Sequence, residues 1–112
     1  SLRGQQYGID MIMGWINEIE GQVIEEVINR AEGYDLEFIP MEYEKDQDKK
    51  LSIPDRFKDV YVNYLLSKID YHNEETERYN NDVVMYNSAY DAYAAWFRRC
   101  NRAKKAPLFS KF

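Results

Sequence analysis

The residues with the most reactive chemistry cluster at one point, where His72, the single histidine, stands beside Asp70, Glu74 and Glu75. An imidazole flanked by carboxylates is metal-binding chemistry in principle. A lone histidine in the polar run "YHNEE" nevertheless reads as a solvent-facing junction. The run "DQDKK" from Asp46 opens like a calcium loop, but Leu51 takes the glycine position and Phe57 the closing glutamate position. Ser52, Ser67, Ser88 and Ser110 have no base except His72. There is no phosphate-binding loop, glycine-rich dinucleotide turn or nucleophile elbow. Cys100 is alone, so it forms neither a disulfide framework nor a cysteine metal site. The expectation is a protein without catalytic residues, cofactor or metal, and not an enzyme.

A second kind of chemistry is more prominent. The chain has ten tyrosines, seven of them between Tyr61 and Tyr93. Tyr79, Val83, Tyr86, Tyr90, Tyr93, Phe97 and Cys100 follow one another at steps of four and three, the heptad seam of a helix lying along another helix. Tyrosine buries a large ring while its hydroxyl still requires a partner or water. Interfaces use that combination well, because rigid aromatic area costs little entropy on binding. A wet helical core with hydroxyls reaching the surface uses it too, and both readings stay open. Met85, Ala89, Ala92 and Trp96 lie beside the seam and widen it, which suggests two contact partners for this helix. Tyr79, Tyr86, Tyr90, Tyr93 and Trp96 are therefore the aromatic interface candidates. Arg98, Arg99 and Arg102, just beyond them, are the charged ones.

Three helices must position these side chains. The first is predicted over about 10–32, capped by Asp10 and stopped by Gly33. Ile9, Ile12, Met13, Ile16, Ile19, Val23, Val27 and Ala31 form its apolar stripe, with Glu18, Glu25, Glu26 and Asn29 largely outside it. Gly14 and Gly21, seven apart on one face, predict a close approach by another backbone. Residues 33–53 form an arm with alternating Leu36, Phe38, Met41 and Tyr43, either extended or folded as a small hairpin of 41–44 with 50–53. Rich in charge, the arm is expected to be partly mobile until assembly orders it. The second helix is predicted over about 54–72, with Pro54 in its first turn and Ser52 and Asp55 at capping-box spacing. Its buried face is Phe57, Val60, Tyr61, Tyr64, Leu65 and Ile69, widened by Leu66. The third runs over about 74–103 and precedes a basic tail at 104–112. The whole is one all-α domain of 112 residues.

Charge is divided unevenly. The net charge is −5, yet from Arg98 to Phe112 there are six basic residues and no acidic one, which leaves −11 on residues 1–97. An acidic body argues against extended nucleic-acid binding, which needs many phosphate contacts. The basic end could meet an acidic partner, or simply be a solvated helix end favoured by the helix dipole. No apolar run approaches the roughly 20 residues that span a bilayer, and the opening "SLRGQQYGID" lacks the apolar centre of a signal peptide.

The order of elements resembles a group of small structural proteins encoded by tailed phages and prophages of Gram-positive bacteria, described as head-tail connector or virion proteins. The resemblance covers about residues 10–99 and rests on "W-x-N-E-x-E" at Trp15–Glu20, the stretch from Pro54 to Tyr64, and "RYNN…MYNSAYD…W" from Arg78 to Trp96. The opening "SLRGQQYG" is shorter than the start this likeness leads one to expect. The likeness implies a helical adaptor that joins a ring below the portal. It implies self-association as a ring or other homo-oligomer, contact with virion proteins such as the portal, and no membrane partner. It allows at most passive contact with passing DNA, and places the protein in the virion after synthesis in the host cytoplasm. The other reading is a cellular helical module that binds a partner helix or peptide through the tyrosine seam. No catalytic residue carries over.

Overall fold

The turn at Asn73–Glu74 sets the topology. The computed structural model describes residues 7–102, which form α1 (Ile9–Glu26), α2 (Asp59–His72) and α3 (Thr76–Asn101). Short 3-10 turns lie at Ile28–Arg30 and Asp55–Phe57. The all-α class is as the sequence indicates. At the end of α2 the Glu75 N–H donates to the Asp70 carbonyl (2.9 Å) and the Glu74 N–H to the Tyr71 carbonyl (3.2 Å). This pair of bonds closes a Schellman motif with Glu74 in the left-handed position, φ 58°. The reversal folds α3 back along α2.

The heptad seam of α3 meets a matching seam on α2. Tyr71 faces Tyr79 with ring centroids 5.5 Å apart, Tyr64 faces Tyr86 at 5.1 Å, and Phe57 faces Tyr93 at 5.7 Å. α3 supplies one ring every seven residues, facing Tyr71 and Tyr64 of α2 and Phe57 of the 3-10 turn before it, so three aromatic rungs fix the register of the antiparallel pair. Tilted aromatic pairs of this kind add about 0.5–1.5 kcal/mol each beyond the area they bury. α1, through Ile19 and Val23, and the turn after it, through Val27 and Ile28, close the core with Ile53, Val60, Tyr61, Tyr93 and Ala94.

Residues 34–53 do not form a hairpin; no strand occurs among the described residues. The reason is that α1 and the 3-10 turn after it supply the arm's backbone partners. Asn17 donates to the Met41 carbonyl (3.0 Å) and accepts from the Met41 N–H (2.9 Å). Asn29 does the same for Leu36, at 2.9 and 2.8 Å. Two carboxamides thus imitate strand pairing, and the arm runs antiparallel to α1. Five residues of extended chain reach about 17 Å, close to the roughly 18 Å that twelve helical residues rise, so the segment between the clamps must be nearly straight. The Phe38 ring lies 3.5 Å from where a Gly21 Cβ would stand, while nothing approaches Gly14. The close neighbour predicted at the glycines is therefore a ring, at one glycine only.

Several boundaries move for local reasons. α1 ends at Glu26, not near residue 32, because the chain leaves helical geometry at Val27 (φ −117°) and tightens into the 3-10 turn that carries Asn29. Gly33 (φ 92°) then reverses the chain into the arm. Asp10 does not cap α1: Gly8 holds that position, and Asp10 sits in the first turn, where its charge suits the dipole. Ser52 does not cap α2, because its hydroxyl is used elsewhere, and α2 proper begins at Asp59 after a 3-10 turn that follows Pro54. Glu74 and Glu75 belong to the turn, with α3 starting at Thr76. The end of α3 placed at 103 and the basic tail at 104–112 lie outside the described residues.

At Leu36 and Met41 the arm has defined backbone partners within a single protomer. Amide hydrogen exchange on the monomer should show slowed exchange at Leu36 and Met41. Asn17→Ala should abolish the protection at Met41 and cost about 1–2 kcal/mol, the usual loss for two such bonds. Rapid exchange at both amides in the parent would contradict the clamp.

Candidate interaction surface

Three tyrosine hydroxyls of the hairpin find their partners on α1. Tyr61 of α2 donates to Glu20 Oε2, and the same hydroxyl accepts from the Ile53 N–H at 3.0 Å. Glu20 Oε1 accepts from the Ser52 N–H (3.0 Å) and the Ser52 hydroxyl (2.8 Å). Glu20 is only 5% exposed, so a carboxylate sits in the core with three donors aimed at it. Such a group is tolerated because its lone pairs are satisfied. Towards the edges, Tyr64 donates to Glu18, whose carboxylate is also 3.4 Å from the Lys68 ammonium. Tyr90 donates to Glu26 (3.0 Å), which also accepts from Gln22. Every one of these tyrosines stands on the hairpin and every acceptor on α1. Tyrosine replaces leucine here because the ring fills the gap between the layers while the hydroxyl spans to an acid on the facing helix.

The environment holds these phenols in the neutral form. Burial, then the hydrogen bond to Glu20, pushes Tyr61 well above the usual tyrosine range. Tyr64 and Tyr90 move the same way, by burial first and then through their bonds to Glu18 and Glu26. Burial also raises Tyr86 and Tyr93 to about 12, with the Glu26 charge contributing at Tyr86 and the Glu20 charge at Tyr93. A neutral phenol is the donor that each carboxylate requires.

The interface candidates consequently divide. Tyr93 has no surface to offer: it is 1% exposed, enclosed by Phe57, Trp96 and Phe97. Tyr86 is half-buried between Tyr64 and Tyr90, and its hydroxyl oxygen is inaccessible and without a hydrogen-bond partner. Tyr90 and Trp96 are half-buried, Trp96 against Phe57 (5.3 Å) with the Arg56 guanidinium 5.7 Å above its ring. Tyr79 is half-buried against Tyr71. Cys100 is exposed, so the seam ends at Phe97. The aromatic stripe is used mainly inside the protomer. Arg98, Arg99 and Arg102 are exposed at the end of α3.

What remains outside is a different set. Ile39, Tyr71, Val84 and Met85 are large apolar side chains at least half exposed. Where α1 and α3 end, Arg30, Glu32, Arg98, Asn101 and Arg102 rim a groove of about 200 Å³ with Val27 and Ala31 also lining it. At the other end, Asp70, His72, Glu74 and Glu75 line an open concavity with Tyr79, but Asp70 is fully buried while the others point to solvent. Among the described residues no three histidine, cysteine, aspartate or glutamate side chains are arranged to hold a metal ion. None of the described helices is long and apolar enough to cross a membrane.

Sequence reasoning missed Glu20, Trp15 and the two asparagine clamps. Glu20 left a signal: it lies four residues after Ile16 and three before Val23, within the apolar stripe itself. Trp15 is buried and stacks on His72 (6.0 Å between rings), which gives that histidine a packing role.

The contrast between Tyr86 and Tyr90 gives a direct test. Tyr86→Phe removes a hydroxyl that makes no bond and should leave stability unchanged or raise it by up to about 1 kcal/mol. Tyr90→Phe removes a donor from Glu26 and should lose about 0.5–1.5 kcal/mol. Denaturant melts that rank the two variants the other way would show the hydroxyl assignments to be wrong.

No family model, no curated protein and no solved structure matches this chain.

Proposed function

We propose that the chain is a structural protein of a phage or prophage virion, a head-tail connector or adaptor that works through subunit contacts and performs no catalysis. The observation that carries this reading is how the aromatic stripe is used. A peptide-binding module would keep a tyrosine groove open, whereas here the hairpin and α1 close over it. The features left for a partner are apolar side chains spread over the outside and two ends of opposite charge. Scattered anchors with a charged rim suit a subunit contacted from more than one side. The acidic body also suits a position beside passing DNA, since like charge avoids the many phosphate contacts of tight binding. The resemblance of the Trp15–Glu20, Pro54–Tyr64 and Arg78–Trp96 segments to connector proteins supports such an assembly, with the portal as the expected partner besides further copies of the chain. The alternative, a cellular helical module that binds a partner helix or peptide through the tyrosine seam, has less support from this arrangement.

Native mass measurement of the chain mixed with a candidate tailed-phage portal protein tests the proposal. A complex with several copies of the chain per portal ring is expected. A chain that stays separate from the portal at concentrations up to about 100 μM, a regime in which even micromolar contacts would be saturated, would overturn it.

A further inference from the structure

We infer that two copies of the chain dock head to tail, the arginine-rimmed groove at the ends of α1 and α3 receiving the Glu74–Glu77 turn of the next copy; this rests on the self-association in the proposed function. The groove brings Arg98 and Arg102 of α3 together with Arg30, which is 68 residues away in sequence and was not among the candidates read from it. Glu32 shares the rim, and the carbonyl ends of the helices add partial negative charge. Three guanidinium groups exceed that compensation, and exposed Arg99 adds a fourth cation at the same end. Arginine binds carboxylates in a bidentate geometry, and Val27 and Ala31 give the stem of a glutamate an apolar bed.

The opposite end has the complementary charge. Glu74, Glu75 and Glu77 are all exposed there, against Arg78 as the neighbouring cation. Glu74 is the informative one. The left-handed position of a Schellman motif suits glycine, and any other side chain strains it. A glutamate held there costs the protomer stability, and its exposed carboxylate is open to a partner outside the protomer. The two ends are separated by the length of α3, roughly 39 Å for 26 helical residues. That distance is several Debye lengths, so the charges do not neutralise one another within a protomer. Two different surfaces of one chain can then satisfy each other only between copies, in the heterologous contact that closes a ring or extends a filament.

Charge exchange tests this pairing. One variant carries Arg30→Glu, Arg98→Glu and Arg102→Glu; the other carries Glu74→Lys, Glu75→Lys and Glu77→Lys. Each should be monomeric alone at low salt by sedimentation velocity, because like charges meet at every contact. An equimolar mixture should recover the oligomer of the parent, with the two variants alternating. Glu74→Gly should raise the melting temperature of the protomer and weaken association. The inference fails if the parent is monomeric at about millimolar concentration, where any contact of useful strength would form. It fails equally if either variant assembles alone like the parent, or if the mixture stays monomeric while both keep their helical signal. Loss of DNA binding by the first variant with an unchanged oligomer would make the groove a phosphate site and overturn it as well. A parent that binds the portal yet never self-associates would remove this contact and leave the proposed function standing.

Discussion

A carboxylate in the core organises this protein. Glu20, carried by α1, ties together the end of the arm at Ser52 and α2 through Tyr61, at the heart of the apolar core those elements share. A buried charge is costly unless every lone pair is satisfied. The donors must therefore stand where they do, and the elements that carry them have little freedom. The Tyr61 hydroxyl extends the constraint by accepting the Ile53 N–H, which fixes the chain just before α2 begins. Glu18 and Glu26, one on each side, repeat the arrangement at the edges, where water weakens each bond.

Two further devices build on that centre. The aromatic rungs every seven residues hold α2 to α3 in register, and the asparagine clamps hold the arm to α1. Each takes a part of the chain with weak intrinsic preference and supplies a partner of defined geometry. The arm has few helix formers and no strand to pair with, yet its backbone groups at Leu36 and Met41 are satisfied by side chains. Most of the tyrosine seam of α3 is in this way used inside the protomer, and association is left to the outer apolar side chains, exposed Tyr71 among them, and the charged ends.

The three helices and the heptad spacing from Tyr79 to Phe97 could be read from the sequence because periodicity is a local signal. The partner of that spacing was also present, as Phe57, Tyr64 and Tyr71 at intervals of seven, but it showed only once the turn at Glu74 set the two runs side by side. Glu20 was hidden for a related reason. An acid on an apolar stripe looks like a flaw until the tyrosine and serine that need it are known to be close. Asn17 and Asn29 gave no periodic signal at all, since a side chain that pairs with backbone leaves no pattern in the segment it holds. The candidate surface fared unevenly: Tyr93 proved internal, while Arg98 and Arg102 proved to share a groove with Arg30, a neighbour that only the fold supplies.

The central claim is that Glu20 and Tyr61 act as one unit, and a double-mutant cycle measures it most directly. Denaturant melts of Glu20→Ala, Tyr61→Phe and the double variant give the coupling energy. Each single change leaves a buried partner unsatisfied, so Glu20→Ala should cost on the order of 3 kcal/mol and Tyr61→Phe about 1–3 kcal/mol, with the double variant losing less than their sum by at least about 1 kcal/mol. Losses that add to within about 0.3 kcal/mol would mean that the hydroxyl and the carboxylate do not depend on each other, and would contradict the account.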